Sequence, residues 1–315
     1  TGVARDLYRM MHLWCGGLRG GLALGTLGIC AVFAAMVGIS GAAVVAMGTI
    51  ALPSMLERGY DKNMALGVIN TGGGWGILIP PSILMILYAL ITGVSVGQMF
   101  AAGIMPGILL MVLTAIYILV RCHLQPDLAP ALPKEERGTW PEKLRALRAV
   151  LLPIGVVVTV LGSIIGGITT PTEAAAMGVL GALISAAVYK QFKWSILKEA
   201  AIRTFKLTGM IMWILFAAHA FSAAYQSMGA QELIEGLMNM VPGGPWGIII
   251  AMMVIVFLLA MVLDPVGIML ITLPVFMPIV ESLGFDPIWF GILFVINMEI
   301  GYMTPPFGFN LFYLK

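Results

Sequence analysis

Apolar runs broken by glycine and double proline constrain this chain more than any other feature. The stretches IIIAMMVIVFLLAMVL at 248–263, LLPIGVVVTVLGSIIGG at 151–167 and AAGIMPGILLMVLTAIYILV at 101–120 approach or reach the ~20 residues that a helix needs to cross a bilayer. Yet GGGWGILIPPS at 72–82 and EIGYMTPPFGFN at 299–310 place proline pairs, led in by glycine, within equally apolar surroundings. Proline removes an amide donor and frees a carbonyl one turn back, and glycine permits non-helical dihedrals. In hydrocarbon such backbone survives only where protein, water or an ion satisfies its polar groups. The sequence therefore predicts an all-α polytopic membrane protein with spans interrupted at two places.

Composition agrees, since only 10% of the 315 residues are charged. The 17 basic and 15 acidic side chains fall in short clusters, and no face follows a nucleic-acid backbone, which excludes that partner and leaves the lipid bilayer. Cys15, Cys30 and Cys122 are too scattered for a zinc site or a disulfide framework. No HExxH, GxSxG or Walker loop occurs, so neither a recognisable enzyme nor an ATP-driven motor is encoded here. Transport driven by an ion gradient fits better, with no cofactor beyond the coupling ions.

Along the chain, residues 1–19 carry three arginines beside Trp14 and suit an interfacial or scaffold segment. Residues 20–120 hold a first interrupted repeat, 121–148 a basic connection expected in the cytoplasm, 149–245 central spans and an amphipathic piece at 231–245, and 246–315 a second repeat. The apolar run leading to Lys315 and the start at Thr1 predict a piece of a longer chain.

The two repeats match at one offset of 225 residues. Pro53 meets Pro278, Gly59-Tyr60-Asp61 meets Gly284-Phe285-Asp286, Gly76 meets Gly301, and Pro80-Pro81 meets Pro305-Pro306. The first turn carries Arg58 and Lys62 and the second carries acids without a base, so the positive-inside tendency predicts inverted topology.

Transporters bind ions and substrate near such breaks, and polar side chains lie close to both. Ser40 and Gly41 sit in VGISGAAV, Asn70 and Thr71 precede the glycine run with Gly74, Trp75 and Gly76, and Asn297, Glu299 and Thr304 flank Gly301. Acids at membrane depth are costly and thus functional candidates: Glu299, Asp264 and Glu173. Asp264 before Pro265 and Glu173 after Pro171-Thr172 also suit helix starts. His219 is either a proton carrier or a packing residue.

VGISGAAVVAMGTIALPSMLERGYDKN, GGITTPTEAAAMG and LDPVGIMLITLP with MEIGYMTPPFGFN, in this order, resemble the large membrane subunit of tripartite ATP-independent periplasmic (TRAP) transporters. The resemblance implies re-entrant hairpins, broken helices and elevator-type architecture in a bacterial inner membrane. It further implies sodium symport of an organic acid, with a small membrane subunit and a periplasmic substrate-binding protein as partners. On that resemblance Ser40 and Gly41 lie at the first hairpin tip, opposite Gly74, Gly76, Pro80 and Pro81, forming one sodium site. Asp264 lies at the second hairpin, with Asn297, Glu299, Gly301, Thr304, Pro305 and Pro306 on its partner helix, forming another. Thr169, Thr170 and Glu173 fall in the signature between the halves. Ala42, Ala43 and Trp75 depart from the expected small hydroxyls and shorter glycine pattern, so substrate class does not carry over. A sodium/carboxylate symporter or anion exchanger without a binding protein is the rival reading.

Overall fold

Glycine, proline and aspartate decide where the helices of this protein start and stop. The computed structural model describes residues 3–131, 133, 138–229, 236, 242–306 and 308–314, and every regular element among them is helical. In chain order these are α1 (Val3–Cys15), α2 (Gly21–Val37), α3 (Ser40–Glu57), α4 (Lys62–Gly76), α5 (Ile83–Thr92), α6 (Val96–Leu124), α7 (Trp140–Ala146), α8 (Arg148–Ile165) and α9 (Pro171–Val188). Then follow α10 (Trp194–Ser227), α11 (Gly244–Ala260), α12 (Pro265–Ser282), α13 (Pro287–Met303) and α14 (Phe309–Phe312). Five of the described helices, α3, α6, α9, α12 and the first part of α10, are long and apolar enough to cross a bilayer. The amphipathic piece expected at 231–245 falls largely outside the described residues.

The chain divides into two compact units: Thr1–Ile83 with Phe100–Gln191 and Gly308–Lys315, and Leu84–Met99 with Phe192–Phe307. In the first, α2 and α3 form a helical hairpin. Gly38 ends α2 in the left-handed region (φ 72°), its N–H donating to Ala34 O, and extended Ile39 redirects the chain into α3, the way a glycine after a helix closes it. Helix α4 lies against both arms because its glycines remove the side chains that would hold it off. A Cβ on Gly76 would stand 2.5 Å from Ala34 Cβ, and one on Gly72 2.8 Å from Cys30 Cβ. Small residues bring helix backbones close in this way where lipid supplies no hydrophobic drive. The turn between α3 and α4 is pinned by Tyr60, whose buried hydroxyl accepts from Leu22 N at 3.1 Å.

On the same unit, α1 packs on α2, and Trp14 Nε1 donates to Lys143 O at 3.0 Å while its ring meets Trp140 edge-on at 6.1 Å. Helix α7 opens with a capping box in which the Thr139 amide and hydroxyl hold the Glu142 carboxyl below the usual carboxylate range. Residues 148–188 form two helices, α8 and α9, joined by a turn at 166–170.

In the second unit α13 packs on α11 and α12, and Tyr88 of α5 joins them, its hydroxyl donating to Pro287 O at 2.7 Å and its ring lying on Phe294. Trp246, Phe285 and Trp289 form an aromatic cluster with ring centroids 5.1 to 5.8 Å apart.

The offset of 225 residues reappears in the elements themselves. Helices α3 and α12 both span 18 residues with a proline inside, starting at Ser40 and Pro265. Asp61 caps α4 by accepting from Met64 N at 2.9 Å, and Asp286 caps α13 by accepting from Trp289 N at 2.7 Å. Gly59 and Gly284 share a left-handed φ of 75° and 76°, and both proline pairs have a cis bond.

Candidate functional site

Continuing a helix through a proline pair would leave two carbonyls without their donors. At the first break those carbonyls belong to Gly76 and Ile77, because the N–H groups four residues on would come from Pro80 and Pro81. The chain responds by tightening: Gly76 O accepts instead from Ile79 N at 3.2 Å, and the helix ends. The second break repeats the substitution at the same offset, with Gly301 O accepting from Thr304 N at 3.0 Å. The breaks differ in extent. Helix α4 stops at Gly76, whereas α13 runs two residues past Gly301 to Met303. A run of four glycines at 72–76 holds a helix poorly, and NMEIGYM holds one better.

In the first unit the break lies beside the first hairpin. Ile83 N donates to Gly38 O at 3.3 Å, and a Cβ on Gly38 would lie 3.2 Å from Pro81 O. A Cβ on Gly73 would lie 3.3 Å from Ser40 O. Ser40, Gly74, Gly76 and Pro80 are buried, and Trp75 and Pro81 are half-buried. The turn itself is formed by Gly38 and Ile39, so Ser40 and Gly41 open α3 instead of lying in the turn. Asn70 is buried with Oδ1 unpartnered among the described residues, whereas Thr71, one residue on and about 100° around the helix, lines a separate cavity.

The sequence reading missed Asn310. It lies on α14, is 0% exposed, and neither its Nδ2 nor its Oδ1 has a hydrogen-bond partner among the described residues. Three and four residues further on, Tyr313 and Leu314 come against α3, where a Cβ on Gly41 would lie 2.6 Å from the Tyr313 ring and one on Gly48 2.7 Å from Leu314. That spacing puts Asn310 on the same face. The available signal was a single amide, in GFN directly after the second proline pair. Ser40, Asn70 and Asn310 thus give the first hairpin region neutral donors and acceptors without a buried charge.

The second unit buries a carboxyl group. Glu299 is 0% exposed and both carboxylate oxygens lack a partner among the described residues. Two residues before it, Asn297 Nδ2 donates to Met253 O, and two after it Gly301 lies tight against α11, where a Cβ would stand 3.1 Å from Phe257 O. Thr304 Oγ1 donates to Ile300 O at 2.6 Å, and Pro305 and Pro306 are exposed. Asp264 is exposed and caps α12, accepting from Gly267 N at 3.0 Å.

The TPTE segment is a helix start. Thr170 N donates to Glu173 Oε2 at 2.8 Å and Glu173 N donates to Thr170 Oγ1 at 3.3 Å, a reciprocal capping box at the exposed end of α9. Thr169 Oγ1 is buried without a partner among the described residues. His219 is exposed on α10.

Comparison with known proteins gives a consistent set of relatives. Residues 1–315 match the family described as Tripartite ATP-independent periplasmic transporter, DctM component. The ectoine TRAP transporter large permease protein TeaC of Halomonas elongata is 36% identical over 310 residues, covering 98% of this chain and 71% of its own. The C4-dicarboxylate TRAP transporter large permease protein DctM of Pseudomonas aeruginosa is 37% identical over 314 residues, covering 99% and 72%. Its counterpart in Vibrio cholerae is 38% identical over 334 residues, with 99% and 72% covered.

Proposed function

This chain belongs to the DctM component family of tripartite ATP-independent periplasmic transporters, and on that premise we propose that it drives sodium-coupled import of an organic acid. It is a large permease subunit embedded in a membrane, a transporter and not an enzyme. In our reading the membrane is the bacterial inner membrane, and the partners are a small membrane subunit and a periplasmic protein that delivers the substrate.

The observation that carries the coupling is the pair of hairpin and broken-helix elements at one offset, each with Asp cap, interior proline and retied glycine carbonyl. Sodium is a hard cation that takes oxygen ligands, as calcium and magnesium do. At the first break we assign it to backbone carbonyls beside Gly38 and Pro81, with the Ser40 hydroxyl in reach of the same turn. At the second we assign it to the region of Asn297, Glu299, Gly301 and Thr304, where Glu299 supplies a negative charge and the first site has none. The two sites therefore differ in chemistry. Asp264 and Glu173, whose carboxylates cap helices, are not needed as ligands.

Relatives named for ectoine and for C4-dicarboxylates are almost equally similar to this chain, so identity does not select the substrate. The neutral amide and hydroxyl groups of Ser40, Asn70 and Asn310 support a carboxylate that arrives together with sodium, so that the charge entering the site is balanced. Each elementary charge moved through 100 mV supplies about 2.3 kcal/mol. An elevator-like displacement of the loaded hairpins would carry the substrate across.

The test is uptake into vesicles holding the complete complex, supplied with the cognate binding protein charged with substrate. Uptake that collapses when the sodium gradient is removed agrees with the proposal. Uptake that persists unchanged would falsify the coupling, and transport without the binding protein would favour an independent symporter.

A further inference from the structure

Between α4 and α6 in the first unit lies a cavity of ≈ 400 Å³ that the proposed transport cycle does not use. Its polar walls are Asp61, Asn63, Thr71, Thr114, Tyr117 and Arg121. At ~1.5 Å per residue it follows α4 for ~15 Å and α6 for ~10 Å, with both charges at one end and the threonines at the other.

The charged end is incomplete. Arg121 makes no side-chain hydrogen bond or ion pair among the described residues. The Asp61 carboxylate accepts one bond among the described residues, from Met64 N at 2.9 Å, and forms no ion pair with Arg121 although both line the same cavity. Opposite charges that share a cavity without pairing match a ligand that carries both signs. A phosphodiester satisfies a guanidinium and a phenol hydroxyl, and an amine on the same headgroup answers the carboxylate. Inorganic phosphate, an anion with no amine to answer the carboxylate, would meet Asp61 unfavourably.

A hydrocarbon tail also has a place to lie. The outer face of α6 leading away from Tyr117 exposes Leu113, Leu109, Ile108 and Met105 in succession. The neighbouring basic residues Arg58, Lys62 and Arg121 put this end at the cytoplasmic face by the positive-inside tendency, where pockets of this type hold lipid headgroups.

We propose that this cavity binds one zwitterionic phospholipid of the inner leaflet, phosphodiester on Arg121 and Tyr117, amine toward Asp61, acyl chains along α6. The site does not depend on sodium coupling or on the transported substrate.

Native mass spectrometry of the complete complex, released from nanodiscs with equal phosphatidylethanolamine and phosphatidylglycerol, tests it. The wild type is expected to retain one phosphatidylethanolamine per large subunit. Arg121→Gln is expected to lower that retention about tenfold, the loss of one charge-assisted hydrogen bond, at an unchanged melting temperature because Arg121 is exposed. Asp61→Asn preserves a good capping side chain and is expected to shift the retained lipid to phosphatidylglycerol. Equal retention of both lipids in the wild type and in Arg121→Gln, or release of the lipid by millimolar inorganic phosphate, overturns the proposal. So does a cavity filled by another segment of the complex with no lipid retained.

Discussion

Replacing Gly76 by alanine adds one methyl group at the tightest point of the first hairpin region. Its Cβ would stand 2.5 Å from Ala34 Cβ, 3.0 Å from Cys30 O and 3.2 Å from Ala31 Cα. None of these is the end of a flexible side chain. Carbon atoms settle at about 3.5 to 4.0 Å, so α2 and α4 must part by ~1 Å along a contact that Gly72 shares. Overpacking of this kind costs about 1 to 3 kcal/mol, of which alanine's better helix propensity returns ~0.5 to 1 kcal/mol. A net loss of ~1 to 2 kcal/mol is expected. Gly67 is the matched control: it lies on the same helix, and a Cβ there meets nothing within 4 Å. Gly67→Ala should therefore gain ~0.5 to 1 kcal/mol from propensity alone. Thermal denaturation of the purified, substrate-free protein separates the two, with Gly76→Ala melting below and Gly67→Ala at or above the wild type. Because α2 ends in the hairpin turn, Gly76→Ala should also reduce uptake. Equal melting of the two variants would refute the close-approach argument for the glycine run.

Other substitutions separate binding roles from structural ones. Glu299→Gln should raise the sodium concentration for half-maximal uptake about tenfold or more, the scale of one lost charge-assisted contact, and an unchanged sodium dependence removes Glu299 from the cation site. Asn310→Leu replaces an unsatisfied buried amide by an apolar side chain of similar size, which is neutral or stabilising where no partner is lost; melting at or above the wild type with uptake abolished is expected, and lower melting with normal uptake shows that the amide is spent on structure. Glu173→Gln retains a capping box and should leave melting and uptake unchanged, whereas Thr170→Ala should cost ~1 kcal/mol; a change in sodium dependence for Glu173→Gln contradicts the assignment of Glu173 to helix capping.

Much of the architecture was legible because it rests on local chemistry. Aspartate before a helix start, left-handed glycine before that aspartate, and a proline pair after a glycine each dictate backbone geometry within a few residues, and all three recur at 225 residues' distance. What was not legible depended on contacts or on competition between two local roles. VGISG offers two glycines, and the one that closes α2 is Gly38, where a Cβ would also approach Pro81 O across the chain; the reading that put Ser40 and Gly41 in the turn could not see that neighbour. Asp264 and Glu173 suited both an ion and a helix cap, and geometry shows their oxygens on backbone amides. Asn310 was invisible because its burial depends on the end of the sequence packing against α3 and α4, a contact with no local signature. Thr71 was grouped with Asn70 by proximity in sequence, and helical rotation sends it to the cavity that holds Arg121.

The central claim, that the paired breaks couple substrate to sodium, is tested most directly by following both solutes at once. Vesicles containing the complete complex, given the charged binding protein and radioactive sodium outside, should accumulate sodium and organic acid together, with more than one sodium ion entering per substrate molecule. Substrate entry with no sodium beyond the leak measured in its absence would contradict the account.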